Sequence, residues 1–151
     1  MSGFGPKSIS LAAELADGYM NTPPSGEMLK QYRDEGGKGP SQAGVKVCWA
    51  DEEKAAVATA HRLWSNSGIP GEATKELRMP KHFEQLSALV TEEMTAESVA
   101  CGPDPERHLA AITPYLEAGY DEVFVSQMGE EQEGFFRFWE KELQPRLAKL
   151  G

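Results

Sequence analysis

The residues with the clearest chemical signature lie at the start of the chain, where residues 2–8 read Ser-Gly-Phe-Gly-Pro-Lys-Ser. Gly3 and Gly5 let the backbone approach an anion closely, and Pro6 suits the first turn of a helix. A helix N-terminus binds phosphate through its unpaired N–H groups and the positive end of its dipole. The segment therefore predicts a phosphate-binding turn that leads into a helix over 8–16. It lacks the glycine and lysine spacing of a nucleotide-binding P-loop.

The other side chains with chemical potential are scattered along the chain. His61, His82 and His108 are the only histidines, and their wide separation favours surface or structural roles, so we expect no metal site. Cys48 and Cys101 are the only cysteines. With no signal peptide or long apolar run, two free thiols in a reducing cytoplasm are expected in preference to a disulfide.

Composition narrows the class of partner. The chain has 151 residues, of which 40% are hydrophobic, enough for the core of a single domain. Its net charge of -9 would repel nucleic acid and anionic membranes, so neither is expected as a partner. Any bound phosphate must be held by local groups.

Helical and strand patterns alternate along the chain. Strand patterns cover 17–22, 43–50 and 121–126, and helical patterns cover 8–16, 27–35, 51–66, 80–90, 94–99, 105–118 and 130–147. Strands that alternate with helices pair in parallel with right-handed crossovers. Three strands cannot close an eight-stranded barrel, but they suffice for its last sector. The predicted fold is α/β, a partial (β/α)8 barrel over 1–151 with a helical insertion at about 67–100.

Local signals refine these elements. Asp51 is the expected N-cap of the third helix, and Asp104 followed by Pro105 marks another helix start. Pro145 should bend or end the C-terminal helix. The first helix should bury an apolar stripe, and a later helix a second one; these stripes are Ile9, Leu11, Ala12 and Leu15, then Leu109, Ile112 and Leu116.

Several segments together resemble one enzyme family. They are residues 2–8, 16–19, 43–49, 61–64, 82–85, 101–105 and 134–138. These stretches are similar to the C-terminal half of the bacterial luciferase-like superfamily, and within it to coenzyme F420-dependent oxidoreductases related to glucose-6-phosphate dehydrogenases. The resemblance implies a barrel fold, a deazaflavin cofactor and hydride transfer. The family's catalytic His and general-acid carboxylate lie in its N-terminal half, so no catalytic residue is expected in this chain.

The resemblance also implies where a cofactor would lie. Gly3, Phe4 and Gly5 would receive the phosphate of coenzyme F420, or of FMN as the alternative, through their backbone N–H groups. Met20 and Thr22, at the end of the next strand, would also face the cofactor. Active sites of such barrels form at this carboxyl-terminal end of the strands.

The substrate would be bound nearby, and Asn21 and Thr22 would line the floor of its pocket. Ser25 and Gln85 fall where sugar-phosphate-using relatives carry basic residues. A dianionic phosphate needs convergent cations, so this departure argues against glucose 6-phosphate, although Lys81 lies close to Gln85 in sequence.

Three hypotheses of function follow. The first is the C-terminal part of an F420-dependent oxidoreductase that acts on a small organic molecule. The second is an inactive fragment or subunit that pairs through exposed barrel edges, with a second copy or with a separate N-terminal half. The third is a flavin-dependent monooxygenase of the same superfamily.

Overall fold

The computed structural model describes residues 1–69, 71 and 73–150, which group into two compact units. The first unit contains Met1–Val45 and Ala110–Ser126, and the second contains Lys46–Leu109 and Gln127–Leu150. In chain order the elements are α1 (Pro6–Leu15), β1 (Tyr19–Asn21), α2 (Gly26–Asp34), β2 (Ser41–Cys48), α3 (Glu53–Trp64), α4 (Ala73–Glu76), α5 (Pro80–Ser87), α6 (Glu92–Ser98), β3 (Ala100–Cys101), α7 (Pro105–Ala118), β4 (Glu122–Gln127), α8 (Gln132–Phe138) and α9 (Gln144–Leu147).

Parallel pairing organises the first unit. β1 runs parallel to the start of β2, with Tyr19 opposite Ser41 and Asn21 opposite Ala43. On its other edge β1 is met by Ser2, which forms a parallel bridge with Met20. β4 also pairs with β2. Parallel strands linked by helices are the arrangement that the sequence predicts.

The helices of the first unit pack around a pair of buried tyrosines. Tyr19 of β1 and Tyr32 of α2 stack with ring centroids 5.0 Å apart, and both side chains are buried. Ile9 and Ala12 of α1 are also buried. The predicted burial of Leu11 and Leu15 is wrong, because these side chains are 43% and 69% exposed. α1 packs against α2, and Leu11 and Leu15 are largely left at the surface.

A carboxylate clasp joins the first residues of β2 to those of β4. One Asp121 oxygen, Oδ2, accepts hydrogen bonds of 2.7 Å from Ser41 N–H, from Ser41 Oγ and from the Arg33 guanidinium. Ser41 Oγ in turn accepts from Asp121 N–H at 3.1 Å. These contacts, led by the Ser41 N–H, lower the pKa of the Asp121 carboxyl. The clasp holds the ionised side chain at the amino-terminal ends of the strands.

The second unit has its own apolar core. The end of β2 pairs in parallel with β3, which places Cys48 opposite Cys101. Both thiols are free, as predicted, and both are buried. They pack with side chains of α3 and the residue before β3, namely Ala56, Val57, Ala60 and Val99. Burial raises the pKa of Cys48, and burial together with the neighbouring Cys48 raises that of Cys101 to about 11.

A second packed cluster of the second unit is aromatic. Phe138 of α8 lies between Trp49 and His108, at centroid distances of 5.9 and 5.1 Å. Gly134 is required here, because a Cβ on it would lie 2.2 Å from the Trp49 ring. Burial lowers the pKa of His108, whose Nε2 bonds to the Gly102 carbonyl at 2.8 Å. His108 therefore has a structural role.

Several predicted details are confirmed and others are wrong. Asp104 caps α7 through a 3.0 Å bond from Glu106 N–H, as predicted. The N-cap of α3 is Glu52 rather than Asp51. Tyr115 is buried on α7 in place of Leu116, which is 37% exposed, because the tyrosine hydroxyl reaches a backbone carbonyl in the turn after β1.

The C-terminal helix is not continuous. A π-helical stretch over Trp139–Leu143 separates α8 from α9, which agrees with the expected bend of the 130–147 helix at Pro145. Pro145 has no N–H and its ring clashes with the carbonyl four residues earlier in a regular helix, which explains the wider turn. Helices α4 to α6 fill most of the predicted insertion, whose Pro70 and Glu72 lie outside the described residues.

We predict that both thiols resist modification in the folded protein, because each is buried and its pKa is raised. A thiol-reactive chromogenic disulfide at pH 8 should react slowly with the native chain and should titrate two thiols per chain in denaturant, the number in the sequence. Absence of titratable thiols in non-reducing denaturant would reveal a disulfide and contradict the free-thiol assignment.

Removal of the Asp121 charge should weaken the fold. Because the pKa of Asp121 is lowered on folding, its ionised form adds stability that is complete well above the unfolded pKa of about 4 and is lost progressively as the pH falls from that value through the lower folded-state pKa. Asp121→Asn should lower the free energy of unfolding at pH 7 by about 1 kcal/mol, a modest figure because the carboxyl is half exposed. Urea titrations at pH 7 and pH 3.5 would measure it.

The matched control for this variant is Glu122→Gln, which changes the neighbouring carboxylate. The Glu122 carboxylate accepts one hydrogen bond, from the Gln42 side chain at the exposed surface. Its replacement should therefore lower the free energy of unfolding less than Asp121→Asn does. A wild-type-like Asp121→Asn at pH 7, or an equal loss at both pH values, would contradict the stabilising role of the clasp.

Candidate functional site

The loop before α1 is fixed by its own backbone and by Ser8. Gly5 is the N-cap, and its carbonyl accepts from Ser8 N–H and Ile9 N–H, both at 3.0 Å. Gly5 N–H donates to Ser8 Oγ at 3.2 Å, and that hydroxyl donates to the Gly5 carbonyl at 2.8 Å. Pro6 occupies the first helical position, as predicted. The turn is thus ordered by contacts within the chain.

The N–H groups predicted to bind phosphate differ in their availability. Gly5 N–H is used by Ser8, and Gly3 is buried at the parallel bridge between Ser2 and Met20. Phe4 N–H and Lys7 N–H have no hydrogen-bond acceptor among residues 1–69, 71 and 73–150. Phe4 is 51% exposed and Lys7 is exposed, so an anion would meet these two groups first.

The two loop glycines are needed for different reasons. A Cβ on Gly3 would lie 2.9 Å from Ser8 Oγ and 3.0 Å from the Ser8 backbone, so Gly3 allows the loop to pack on α1. A Cβ on Gly5 would meet no atom within 4 Å. Gly5 has φ -127°, which any residue can adopt. Neither packing nor conformation within the chain explains a glycine at position 5.

The end of β1 lies beside this loop. Met20 is 39% exposed, and Thr22 is exposed at the end of the strand. The turn that follows is fastened by two tyrosines: Tyr115 OH donates to the Thr22 carbonyl at 2.8 Å, and Tyr120 OH donates to the Ser25 carbonyl at 3.1 Å. Gly3, Phe4, Gly5, Met20, Thr22 and Ser25 therefore lie within one compact unit.

Asn21 occupies an unexpected environment. Its side chain is 1% exposed, and its Nδ2 donates to Tyr19 OH at 3.1 Å. Its Oδ1 has no partner among the described residues. In this structure the Asn21 amide contacts Tyr19 and Met28.

Ser25 and Gln85, the two positions expected to hold substrate, have different surroundings. Ser25 is the N-cap of α2, and its Oγ accepts from Met28 N–H at 3.3 Å. Gln85 is an exposed residue of α5, in the second unit. Ser25 thus has a structural function of its own, and neither residue carries a positive charge.

A cleft of about 350 Å³ opens in the first unit. Its lining includes Ala16, Gly18 and Pro40, which precede β1 and β2, so it lies at the amino-terminal ends of the strands. Of the predicted site residues only Met20 lines it.

The ionisable groups near the turn suit binding more than proton transfer. Burial raises the pKa values of Tyr19, Tyr115 and Tyr120, so their hydroxyls stay protonated and donate hydrogen bonds at neutral pH. Across the described ranges no group of three or more His, Cys, Asp and Glu side chains is arranged to hold a metal ion. No helix there combines the length and the apolar character needed to cross a bilayer.

The chain is similar to known proteins along almost its whole length. It is 26% identical over 160 aligned residues to an F420-dependent glucose-6-phosphate dehydrogenase of Microbacterium testaceum (strain StLB037), and the alignment covers 96% of this chain and 47% of that protein. It is 22% identical to a protein of the same name from Mycolicibacterium gilvum (strain PYR-GCK), over 97% of the chain and 47% of the relative. No protein-family model matches.

Solved structures show the same fold. An F420-dependent secondary alcohol dehydrogenase in complex with an F420-acetone adduct superposes with a TM-score of 0.70 at 17% identity, over 95% of this chain and 47% of the other. The coenzyme F420-dependent tetrahydromethanopterin reductase of Methanopyrus kandleri superposes with a TM-score of 0.65 at 19% identity, over 97% of this chain and 50% of the other.

These comparisons confirm the resemblance identified from the sequence and the predicted fold class, an α/β partial barrel. The chain spans about half the length of the curated relatives that it matches. Relatives named as F420-dependent enzymes cover almost all of this chain.

The contrast between the two glycines can be tested by stability. Gly3→Ala should lower the free energy of unfolding by about 1 to 3 kcal/mol, because the new methyl group clashes with the backbone of α1. Gly5→Ala should cost less than about 1 kcal/mol, because its φ is compatible and its surroundings are open, and only the preference of an N-cap for glycine over alanine is lost. Urea denaturation of the two variants would measure both effects. Equal destabilisation would refute the assigned difference.

Proposed function

We propose that this chain is part of an F420-dependent oxidoreductase and that its loop over 3–7 binds the phosphate of the cofactor. The observation that carries the proposal is the likeness to relatives named F420-dependent glucose-6-phosphate dehydrogenase along 96–97% of the chain. The loop adds physical support, because it precedes a ten-residue helix whose N-terminus favours an anion.

The groups that would hold the phosphate are Phe4 N–H, Lys7 N–H and the Lys7 ammonium. The first two lack acceptors within the described chain, and the third is exposed. The open space at Gly5 leaves room for a phosphate oxygen close to the backbone. Met20 and Thr22, exposed at the end of β1, would contact the remainder of the cofactor.

In this proposal the bound deazaflavin supplies the hydride acceptor or donor, and the chain's own residues bind and orient it. The neighbouring tyrosines remain protonated and act as hydrogen-bond donors to the backbone. None of the proposed site residues is a general acid or base. We therefore propose that the catalytic groups come from polypeptide beyond these 151 residues, or from a partner chain.

The proposed substrate is a small organic molecule without a sugar phosphate. Ser25 is neutral and already caps α2, and Gln85 is neutral and exposed. A dianionic phosphate would need several convergent cations to offset its desolvation. We propose that Asn21 lies at the floor of the substrate pocket. Because its side chain is buried, it would support the pocket by holding the backbone of β1 in place.

We also propose a partner and a cellular compartment for the chain. A partner, either a second copy or a separate N-terminal half, is supported by the exposed Leu11 and Leu15 of α1. Two buried free thiols support a reducing cytoplasm.

The decisive variant is Gly5→Asp, which places a carboxylate where the phosphate would approach. Coenzyme F420 should bind the chain more tightly than FMN, and Gly5→Asp should weaken the binding of F420 by at least about tenfold through charge repulsion and bulk. Fluorescence titration with each cofactor would measure the dissociation constants.

Gly5→Asn is the matched control, since it has nearly the shape of the aspartate without its charge. It should weaken binding less than Gly5→Asp does. Unchanged binding by Gly5→Asp, or failure of the wild-type chain to bind F420, would contradict the proposed phosphate site.

A further inference from the structure

A buried hydroxyl controls the orientation of one peptide in the loop. Tyr19 is 1% exposed, and its OH donates to the Gly3 carbonyl at 2.8 Å. Asn21 Nδ2 donates to the same hydroxyl oxygen at 3.1 Å. Asn21 donates to Tyr19 and Tyr19 donates to Gly3, so the Tyr19 hydroxyl proton is directed at the loop carbonyl.

In the Gly3–Phe4 peptide, the direction of the carbonyl fixes the direction of the N–H. None of the described peptide bonds is cis, so the Gly3 carbonyl and Phe4 N–H point in opposite directions. With the carbonyl directed inward at Tyr19, Phe4 N–H is directed away from the buried ring. It has no acceptor among the described residues, and Phe4 is 51% exposed.

We infer that Tyr19, supported by Asn21, is a positioning residue that presents Phe4 N–H to the phosphate of the bound cofactor. The inference rests on the proposed function, and it adds a residue that does not touch the ligand. Without the hydroxyl, the Gly3–Phe4 peptide loses the bond that fixes its direction, and a rotated peptide would meet the anion with its carbonyl oxygen. The raised pKa of Tyr19 keeps its proton on the donor.

Tyr32 offers a matched control within the same stack. Its ring lies 5.0 Å from that of Tyr19 and its hydroxyl is equally buried, but that hydroxyl has no partner among the described residues. Tyr19→Phe and Tyr32→Phe therefore remove the same atom from neighbouring rings. Only the first removes a hydrogen bond to the loop.

The test compares these variants with wild type in titrations of coenzyme F420 and of its deazaflavin nucleoside, which lacks the phosphate. Tyr19→Phe should bind F420 about fivefold to tenfold more weakly, the loss of one oriented hydrogen bond, and should bind the nucleoside as wild type does. Tyr32→Phe should bind both as wild type does. An equal loss for both ligands in Tyr19→Phe, or no loss, would overturn the inference.

A second measurement does not depend on the cofactor. In nitrogen-15 NMR spectra, inorganic phosphate should shift the Phe4 amide of the wild type and of Tyr32→Phe, and should shift it less in Tyr19→Phe. No shift of Phe4 in the wild type would overturn the inference. If inorganic phosphate shifts Phe4 as expected but the wild type does not bind F420, the proposed function fails while the orientation of the peptide by Tyr19 stands.

Discussion

The loop at the start of the chain depends on one contact, the 2.8 Å hydrogen bond from the buried Tyr19 hydroxyl to the Gly3 carbonyl. The Tyr19 ring is buried against Tyr32, on which it stacks, and this bond satisfies its hydroxyl away from water. The same residue begins β1 and pairs with Ser41. Packing of the tyrosines, the register of the sheet and the path of the loop are therefore coupled, and each limits the choices open to the others.

Much of the architecture was predictable because its signals are local. Proline at a first helical position marks the start of α1 and of α7, and an Asp two residues before Glu106 caps the latter. Alternation of strand and helix correctly predicts parallel pairing. The bounds of elements were less accurate: β1 covers three residues where six were expected, since the backbone beyond it turns and bonds to tyrosine hydroxyls.

The failures have a common physical origin in tertiary contacts that a pattern of apolar residues cannot reveal. Leu11 and Leu15 are as apolar as Ile9, but the neighbours of α1 decide which of its sides is buried. A similar limit applies to Asn21, whose place at a pocket stays a prediction of the resemblance. Its side chain is buried and its amide binds Tyr19, a partner two residues away whose burial no spacing rule specifies.

The candidate site illustrates the same limit at atomic scale. The resemblance seen in the sequence groups Gly3, Phe4 and Gly5 as phosphate-binding donors without distinguishing between them. The structure separates them: Gly5 N–H bonds to Ser8 Oγ, Gly3 packs against α1, and Phe4 N–H is left without an acceptor among the described residues. Which amide is available depends on the side chain of Ser8 within the motif and, by our inference, on Tyr19 outside it.

A net charge of -9 does not argue against an anion at this loop. At physiological ionic strength, charges more than about 8 Å apart in water are largely screened, so the total charge matters less than the groups next to the ligand. Lys7 and the N-terminus of α1 supply positive potential at the loop, and the first turn of α1 contains no acidic residue. Backbone N–H groups bind an anion without adding a net charge. A chain that repels polyanions at long range can therefore still hold a single phosphate, provided that a peptide such as Gly3–Phe4 is held in the correct direction before the ligand arrives.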